Sequence, residues 1–212
     1  MLGVSLHAPV AGYANQYDMV RSAACLGLWP TLDPAQRALA TPHAPQPRQV
    51  LADRQPEGCY PSTDVALAAL GIGVARALHA LGVGEDPWID LRIIGTTKAL
   101  LLLAGALLVT LALRAYPGIS VAHALFVAVV LADPFNTLFL NTLYTETGAL
   151  LGAWLALAGL LLRTLPQARQ GAAFALAACG CALLGASRVQ HLALPFGIAL
   201  LWWLATRASA RR

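Results

Sequence analysis

The stretch "WIDLRIIGTTKALLLLAGALLVTLAL", residues 88–113, has the length and composition of a membrane-spanning helix. As an α-helix it measures about 39 Å at a rise of about 1.5 Å per residue, which crosses about 30 Å of hydrocarbon with some tilt. Asp86-Pro87 precedes it, and proline is well placed in the first turn of a helix. The stretch therefore predicts a transmembrane helix that begins near Trp88.

Composition extends this prediction to the whole chain. Of its 212 residues, 58% are hydrophobic and 11% are charged, and the mean hydropathy is +0.64. Soluble domains carry about 25% charged residues. The net charge of +4 is spread over dispersed arginines, and no basic patch is interleaved with aromatic residues, which argues against nucleic-acid binding. We predict an all-α fold: a polytopic transmembrane helical bundle with short or broken helices and an interfacial helix.

The sequence divides into three predicted regions. Residues 1–62 are rich in proline, glutamine and arginine, which suits an extracytoplasmic loop. Residues 63–86 follow a sequence that can cap a helix, and we expect that helix to lie in the membrane interface, although it is long enough to span. Residues 87–212 carry the remaining apolar runs and form the predicted bundle. A usual multi-span protein has a helix ahead of such a loop, so we expect a missing first transmembrane helix or a partner subunit in its place.

The short loops predict the orientation in the membrane. The loops on one side carry six arginines: Arg114, Arg163, Arg169, Arg207, Arg211 and Arg212. The opposite ends, residues 133–146 and 187–191, carry only Arg188. The positive-inside rule places the six arginines in the cytoplasm. Residues 1–62 then lie outside if the helix that follows them is interfacial, and in the cytoplasm if that helix spans.

The cysteines fall into two pairs. Cys25 and Cys59 flank the proline-rich loop. They could form a disulfide in an oxidising compartment if the geometry allows it, but not in the cytoplasm. Cys179 and Cys181 lie in an apolar run and behave as small hydrophobic residues. No set of cysteines and histidines has zinc-ligand spacing, so we predict no zinc site.

Polar residues collect at the outer boundary of the bundle, in "ADPFNTLFLNTLYTETGALL", residues 132–151. Asp133 and Glu146 would lie at the outer ends of adjacent helices, so both can point into one crevice. Asn141 and Tyr144 can hydrogen-bond to phosphate or sugar hydroxyls. The alternative is ordinary helix capping, which also suits an acidic residue at a helix start.

Two cations are further candidates for substrate binding. Lys98 would lie roughly 15 Å along its helix, where a charge without a partner costs several kcal/mol, so it is a functional candidate unless it extends to the interface. Arg188, with Gln190 and His191 close by, could bind a lipid phosphate or make an ordinary headgroup contact.

A carboxylate near the N-terminus is the candidate catalytic group. Asp18 directly follows Tyr17, is close in sequence to Tyr13, and lies three residues before Arg21. Held near the membrane surface, it could act as a general base or a metal ligand. The alternative is a solvated loop carboxylate.

Four segments, "AGYANQYDMVR", "WIDLRIIGTTKALLLLAG", "DPFNTLFLNTLYTETGALL" and "GASRVQHLALP", resemble in this order segments of bacterial multi-span GT-C glycosyltransferases. Those enzymes use polyprenyl-phosphate-linked sugars. The resemblance implies transfer of a sugar to a cell-envelope acceptor at the outer face of the bacterial inner membrane. It also implies a truncated or partial member, because such enzymes have more spans.

The resemblance also implies roles for individual residues. Asp18 would accept or position the proton of the acceptor hydroxyl. Arg188 and Lys98 would stabilise the charge on the departing lipid phosphate. Asp133 and Glu146 would position the sugar or acceptor, or hold a divalent metal ion through oxygen ligands. The alternatives are a non-catalytic membrane module, such as a transporter or flippase piece or a scaffold, and an inactive fragment of a larger transferase.

Overall fold

The computed structural model describes residues 17–29, 47–52, 59–84, 87–133, 136–137, 139–143, 146–166 and 168–209. For some helical residues, among them Asp18 and Glu146, it describes only the backbone. The chain divides into two compact units: residues 1–101 with 132–147, and residues 102–131 with 148–212. The predicted division at residues 62 and 86 does not coincide with these units. Whether residues 1–62 lie outside the cytoplasm stays a prediction.

The described part is mostly helical, as predicted, and four of its helices are long and apolar enough to cross a membrane. They are Thr63–Ala80, Leu91–Ala112, Thr147–Thr164 and Val189–Arg207. Two shorter apolar helices cover Pro117–Leu131 and Gln170–Gly185. A membrane protein is therefore supported by the length and apolar composition of these helices, and their arrangement as a polytopic bundle stays a prediction.

The first unit combines helices with a small sheet. Its elements are α1 (Tyr17–Leu26), β1 (Leu28–Trp29), β2 (Arg48–Leu51), α2 (Thr63–Ala80), β3 (Trp88–Asp90), the first part of α3 (Leu91–Ala112) and a 3-10 turn (Phe139–Asn141). The Ser62 hydroxyl caps α2 by accepting the Val65 N–H at 3.3 Å. Beyond the end of α2, Gly82 has a φ of 78°, a backbone conformation that glycine adopts without strain.

The three strands form an antiparallel sheet with β2 in the centre. Leu28 of β1 lies opposite Leu51, and Val50 lies opposite Trp88 of β3. Residues 1–62 were expected to form a loop, but they contain α1, β1 and β2. The helix expected to begin near Trp88 begins at Leu91, because residues 88–90 pair with β2.

One hydrophobic core joins distant parts of this unit. Leu26 of α1 and Ala68 of α2 belong to it, and Leu91 and Ile94 join from the start of α3. Leu143 enters from the segment after the 3-10 turn. Complete burial of a leucine or isoleucine side chain stabilises a fold by about 1.5–3 kcal/mol. This cluster therefore holds α1 and the segment around Leu143 against α2 and α3.

Two glycines of α2 occupy different environments. A Cβ at Gly71 would lie 2.7 Å from the Cα of Ile94, whereas a Cβ at Gly73 would meet no atom within 4 Å. Gly71 therefore allows α2 to pack closely against α3.

The second unit is helical where it is described. It contains the rest of α3, α4 (Pro117–Phe126) with a π-helical turn to Leu131, most of α5 (Glu146–Thr164), α6 (Gln170–Gly185), a 3-10 turn (Val189–His191) and α7 (Ala193–Ser209). The ring of His123 on α4 stacks on Trp154 with centroids 5.8 Å apart. Its Nδ1 lies 3.2 Å from the Thr110 hydroxyl.

Small residues bring α5 and α6 into close contact. A Cβ at Gly152 would lie 2.5 Å from the backbone nitrogen of Leu184, and one at Gly159 would lie 2.6 Å from the carbonyl oxygen of Ala173. Gly180 of α6 faces Gly152 and Ala156 in the same way. Packing through small residues is typical of helices that associate within a membrane, where van der Waals contact replaces the hydrophobic effect.

Candidate functional site

A buried ion pair lies at the centre of the first unit. The Lys98 Nζ on α3 lies 3.2 Å from the Asp64 Oδ1 on α2, and both side chains are fully enclosed. The same Nζ donates a hydrogen bond of 2.8 Å to the carbonyl oxygen of Thr142. One ammonium group therefore ties together α2, α3 and the segment that follows the 3-10 turn.

This geometry does not fit the hypothesis that Lys98 binds a donor phosphate. The residue is 1% exposed, and its ammonium group already holds a carboxylate and a carbonyl oxygen. It does not extend to the interface either. The sequence indicated that a charge at this depth needs a partner, but it did not identify Asp64 as that partner.

Asn141 also faces the interior of the unit. It is 1% exposed, and its Oδ1 packs against Gly95 of α3, where any Cβ would collide with it. Asn141 was predicted to contact substrate. The structure instead gives it the environment of a packing residue that holds the 3-10 turn against α3.

The other predicted site residues are divided between the units. Asp133 is half-buried in the first unit, and its carbonyl oxygen accepts the N–H of Thr137 at 2.9 Å. Arg188 is half-buried and Gln190 is exposed in the second unit. Arg188 precedes the 3-10 turn Val189–His191.

The side chains of three predicted site residues, Asp18, Tyr144 and Glu146, lie outside the described part of the chain. The backbone of Asp18 lies in the first turn of α1, and the backbone of Glu146 starts α5. For Tyr144 the backbone also lies outside that part. Their roles in catalysis and positioning stay predictions.

Cys25 and Cys59 form a disulfide in the structure. The bond joins the last turn of α1 to the segment that leads into α2. Disulfides form and persist in oxidising compartments. The bond therefore agrees with an extracytoplasmic position for residues 1–62.

A cleft of about 750 Å³ lies between the C-terminal half of α2 and the first turns of α3. Ligand sites in proteins measure about 300–1,000 Å³. Two arginines, Arg48 of β2 and Arg92 of α3, line it together with His79 and Trp88. Sequence reasoning did not single out Arg48, because only the pairing of β2 with β3 brings it to this place.

Arg92 is held in position by Asp90, its neighbour in the cleft wall. The Asp90 carboxylate accepts hydrogen bonds from the Arg92 Nε at 2.9 and 3.1 Å and from the Arg92 backbone N–H at 2.9 Å. The guanidinium group also lies against it through Nη2. Charge-assisted contacts of this kind fix the direction of a guanidinium group.

The described residues contain no group of three histidine, cysteine, aspartate or glutamate side chains that could hold a metal ion. The proposed metal site of Asp133 and Glu146 depends on a side chain outside that part. Protein-family models, curated proteins and solved structures were each compared with this chain, and none of the three comparisons gives a match.

Proposed function

We propose that this chain is a GT-C-like membrane glycosyltransferase. It would transfer a sugar from a polyprenyl-phosphate donor to a cell-envelope acceptor at the outer face of the bacterial inner membrane. The alternatives are a non-catalytic membrane module and an inactive fragment of a larger transferase.

The observation that supports the proposal is the meeting of three segments that carry the resemblance. The first runs into α1, whose last residue, Leu26, shares a core with Leu91 of the second and Leu143 of the third. Lys98 of the second also donates to the Thr142 carbonyl of the third. Segments far apart in sequence thus form one unit. The fourth segment, residues 185–195, belongs to the second unit.

The proposed reaction places its base on α1. Asp18 would accept the proton of the acceptor hydroxyl as that oxygen attacks the anomeric carbon. The bond from that carbon to the phosphate oxygen would break, with inversion, and polyprenyl phosphate would leave. Fixed cations stabilise charge that develops on a leaving phosphate. Lys98 is enclosed and does not fit this role, and Arg188 is the other cation to which the resemblance assigns it.

The position of α2 supports a site near one membrane surface. It contacts α3 at Ile94 and Lys98, close to where α3 begins. An interfacial α2 would lie at that end of α3, on the same side as the disulfide-linked α1. This agrees with the proposal because the phosphate of a lipid-linked donor sits at headgroup depth.

The test is sugar transfer by the full chain in liposomes supplied with polyprenyl-phosphate sugars. We expect release of polyprenyl phosphate, and we expect Asp18→Asn to slow it by roughly a hundredfold or more, the usual contribution of a positioned base. Asp53→Asn, another carboxylate of the N-terminal region, is the control and should retain turnover. Donor binding without any turnover would favour a non-catalytic module, and equal turnover by Asp18→Asn would remove Asp18 from the mechanism.

A further inference from the structure

The charged residues of the chain are divided unequally between its two units. Residues 102–131 and 148–212, which form the second unit, contain no aspartate, glutamate or lysine in their sequence. They carry seven arginines: Arg114, Arg163, Arg169, Arg188, Arg207, Arg211 and Arg212. The second unit therefore has no acidic side chain of its own to balance these charges, and a balancing anion would have to come from outside the unit.

Three helix ends meet where most of these arginines lie. The guanidinium carbon of Arg163, in the last turn of α5, lies 5.8 Å from the centre of the Trp202 ring of α7. The Phe174 ring of α6 lies 6.0 Å from the same ring. These contacts join residues far apart in sequence and gather cations from three helices at one surface. We call it the arginine end, and it comprises Arg163, Arg169, Phe174, Trp202, Trp203 and Arg207.

The second arginine of the arginine end that contacts an aromatic ring is Arg207. Its guanidinium carbon lies 3.8 Å from the centre of the Trp203 ring, one turn earlier on α7. The ring attracts the cation electrostatically but offers it no oxygen atom. A guanidinium group has five N–H donors in a planar array that matches phosphate oxygens. A phosphate can therefore bind to Arg207 while the ring holds the side chain in place.

The surroundings of the arginine end favour a lipid over other anions. The helix that ends at Arg207 is apolar and long enough to cross a membrane, and only 6% of it is buried in the structure. Leu200 and Leu204 are exposed on α7 close to Trp203. Tryptophan is enriched at membrane–water boundaries, which is the depth of lipid headgroups. A nucleic acid or an acidic protein segment would leave these leucines in water, whereas a phospholipid covers them with its acyl chains.

We propose that the arginine end binds the headgroups of anionic phospholipids. The lipid phosphates accept hydrogen bonds from Arg163 and Arg207, and the acyl chains lie along the exposed apolar side chains of α7. The positive-inside rule assigns this end to the cytoplasm, where anionic lipids give the leaflet a negative surface potential. Lipid bound here holds the second unit at one depth in the membrane. Lipid binding at the arginine end does not depend on the proposed sugar transfer.

The test compares binding of phosphatidylglycerol and phosphatidylcholine to the full chain in neutral detergent, measured by native mass spectrometry. Both lipids are used with the same acyl chains, and only phosphatidylglycerol has a net negative charge. We expect phosphatidylglycerol to bind at least about fivefold more tightly, because each arginine near an anionic surface contributes about that much. Equal binding of the two lipids would overturn the proposal.

Two double variants test whether the charges of the arginine end carry this preference. Arg163→Gln with Arg207→Gln should reduce the preference for phosphatidylglycerol about fivefold or more. Arg163→Lys with Arg207→Lys keeps both charges and should retain most of it. Arg207→Gln alone, at an exposed position, should also reduce the preference, and it replaces the double variant if the half-buried Arg163 is needed for folding. Wild-type preference in the glutamine variants, or an equal loss in the lysine variant, would contradict the site.

Two soluble ligands test whether a lipid is the source of the anion. Glycerol phosphate carries a phosphate without acyl chains, and polyglutamate is an acidic peptide. We expect each to bind at least about tenfold more weakly than phosphatidylglycerol, because neither buries apolar surface against α7. Equally tight binding of glycerol phosphate would reduce the arginine end to a phosphate site. Equally tight binding of polyglutamate would identify an acidic protein segment as the partner. Either result would overturn the lipid proposal.

Discussion

Lys98 shows how a single buried charge organises the first unit. An ammonium group without a partner in an apolar helix costs several kcal/mol, and here Asp64 and the Thr142 carbonyl compensate it. The sequence indicated that Lys98 needs a partner because its neighbours are apolar. It could not identify Asp64, because that contact joins residues 34 positions apart and depends on how α2 packs on α3.

Removing one member of the pair should destabilise the protein strongly. We expect Lys98→Met or Asp64→Leu to lower the free energy of unfolding by about 3–5 kcal/mol, because each leaves a buried charge without its partner. The double variant should recover much of that loss. The measurement is thermal unfolding in detergent, followed by circular dichroism.

Arg76→Gln serves as the control for removing a positive charge from the same region, since this residue is exposed, and it should leave the unfolding temperature unchanged. If the double variant were no more stable than the two single variants, the two charges would not be coupled.

At the scale of elements, apolar runs predicted the helices from residue 63 onward, because a helix depends on local sequence, whereas α1 lies in a region that was predicted as loop. The start of α3 was placed three residues early because β3 is fixed by pairing with a distant strand. β1 and β2 were predicted as loop because they too are fixed by pairing with distant strands. The cleft was missed for a related reason, since Arg48 and Arg92 are 44 residues apart and meet through the sheet.

The contact between α5 and α6 should depend on the small size of Gly159. We expect Gly159→Leu to destabilise the second unit by about 1–3 kcal/mol, because a larger side chain would collide with the backbone of α6 at Ala173 and Ala177. The measurement is again thermal unfolding in detergent.

Gly171→Ala provides the matched control within α6. A Cβ at Gly171 meets no atom within 4 Å, and alanine is the better helix former, so this variant should be as stable as the wild type or slightly more so. A Gly159→Leu protein that unfolds at the wild-type temperature would show that the two helices do not need this close approach.

At the scale of the whole molecule, composition was enough to predict a mostly helical membrane protein, since an apolar chain with few charges has few other stable forms. Composition does not determine which side of the membrane each loop occupies or which side chains meet. The roles of the site residues therefore stay predictions. Asp133 and Arg188, for example, belong to different units.

The predicted orientation can be tested with single cysteines in a Cys179→Ser, Cys181→Ser background. We expect Val189→Cys, at an exposed position, to react with a membrane-impermeant maleimide in intact spheroplasts, because the positive-inside rule places it outside. Ala115→Cys, also exposed and next to Arg114, should react only after the membrane is disrupted. The reverse pattern would overturn the predicted orientation and, with an interfacial α2, would place residues 1–62 and the cleft on the cytoplasmic side.

The ion pair between Asp64 and Lys98 would also affect how the chain enters a membrane during synthesis. A lysine at the centre of a spanning helix raises the free energy of insertion by about 2.5–3.5 kcal/mol, and Lys98, in the first half of α3, would meet part of that cost. Asp64 leaves the ribosome first, so its carboxylate is already available when the helix that carries Lys98 reaches the translocon. Paired insertion of α2 and α3 would spare the cell from placing an isolated charge in lipid, which makes the order of the two helices along the gene part of the pathway to the folded protein.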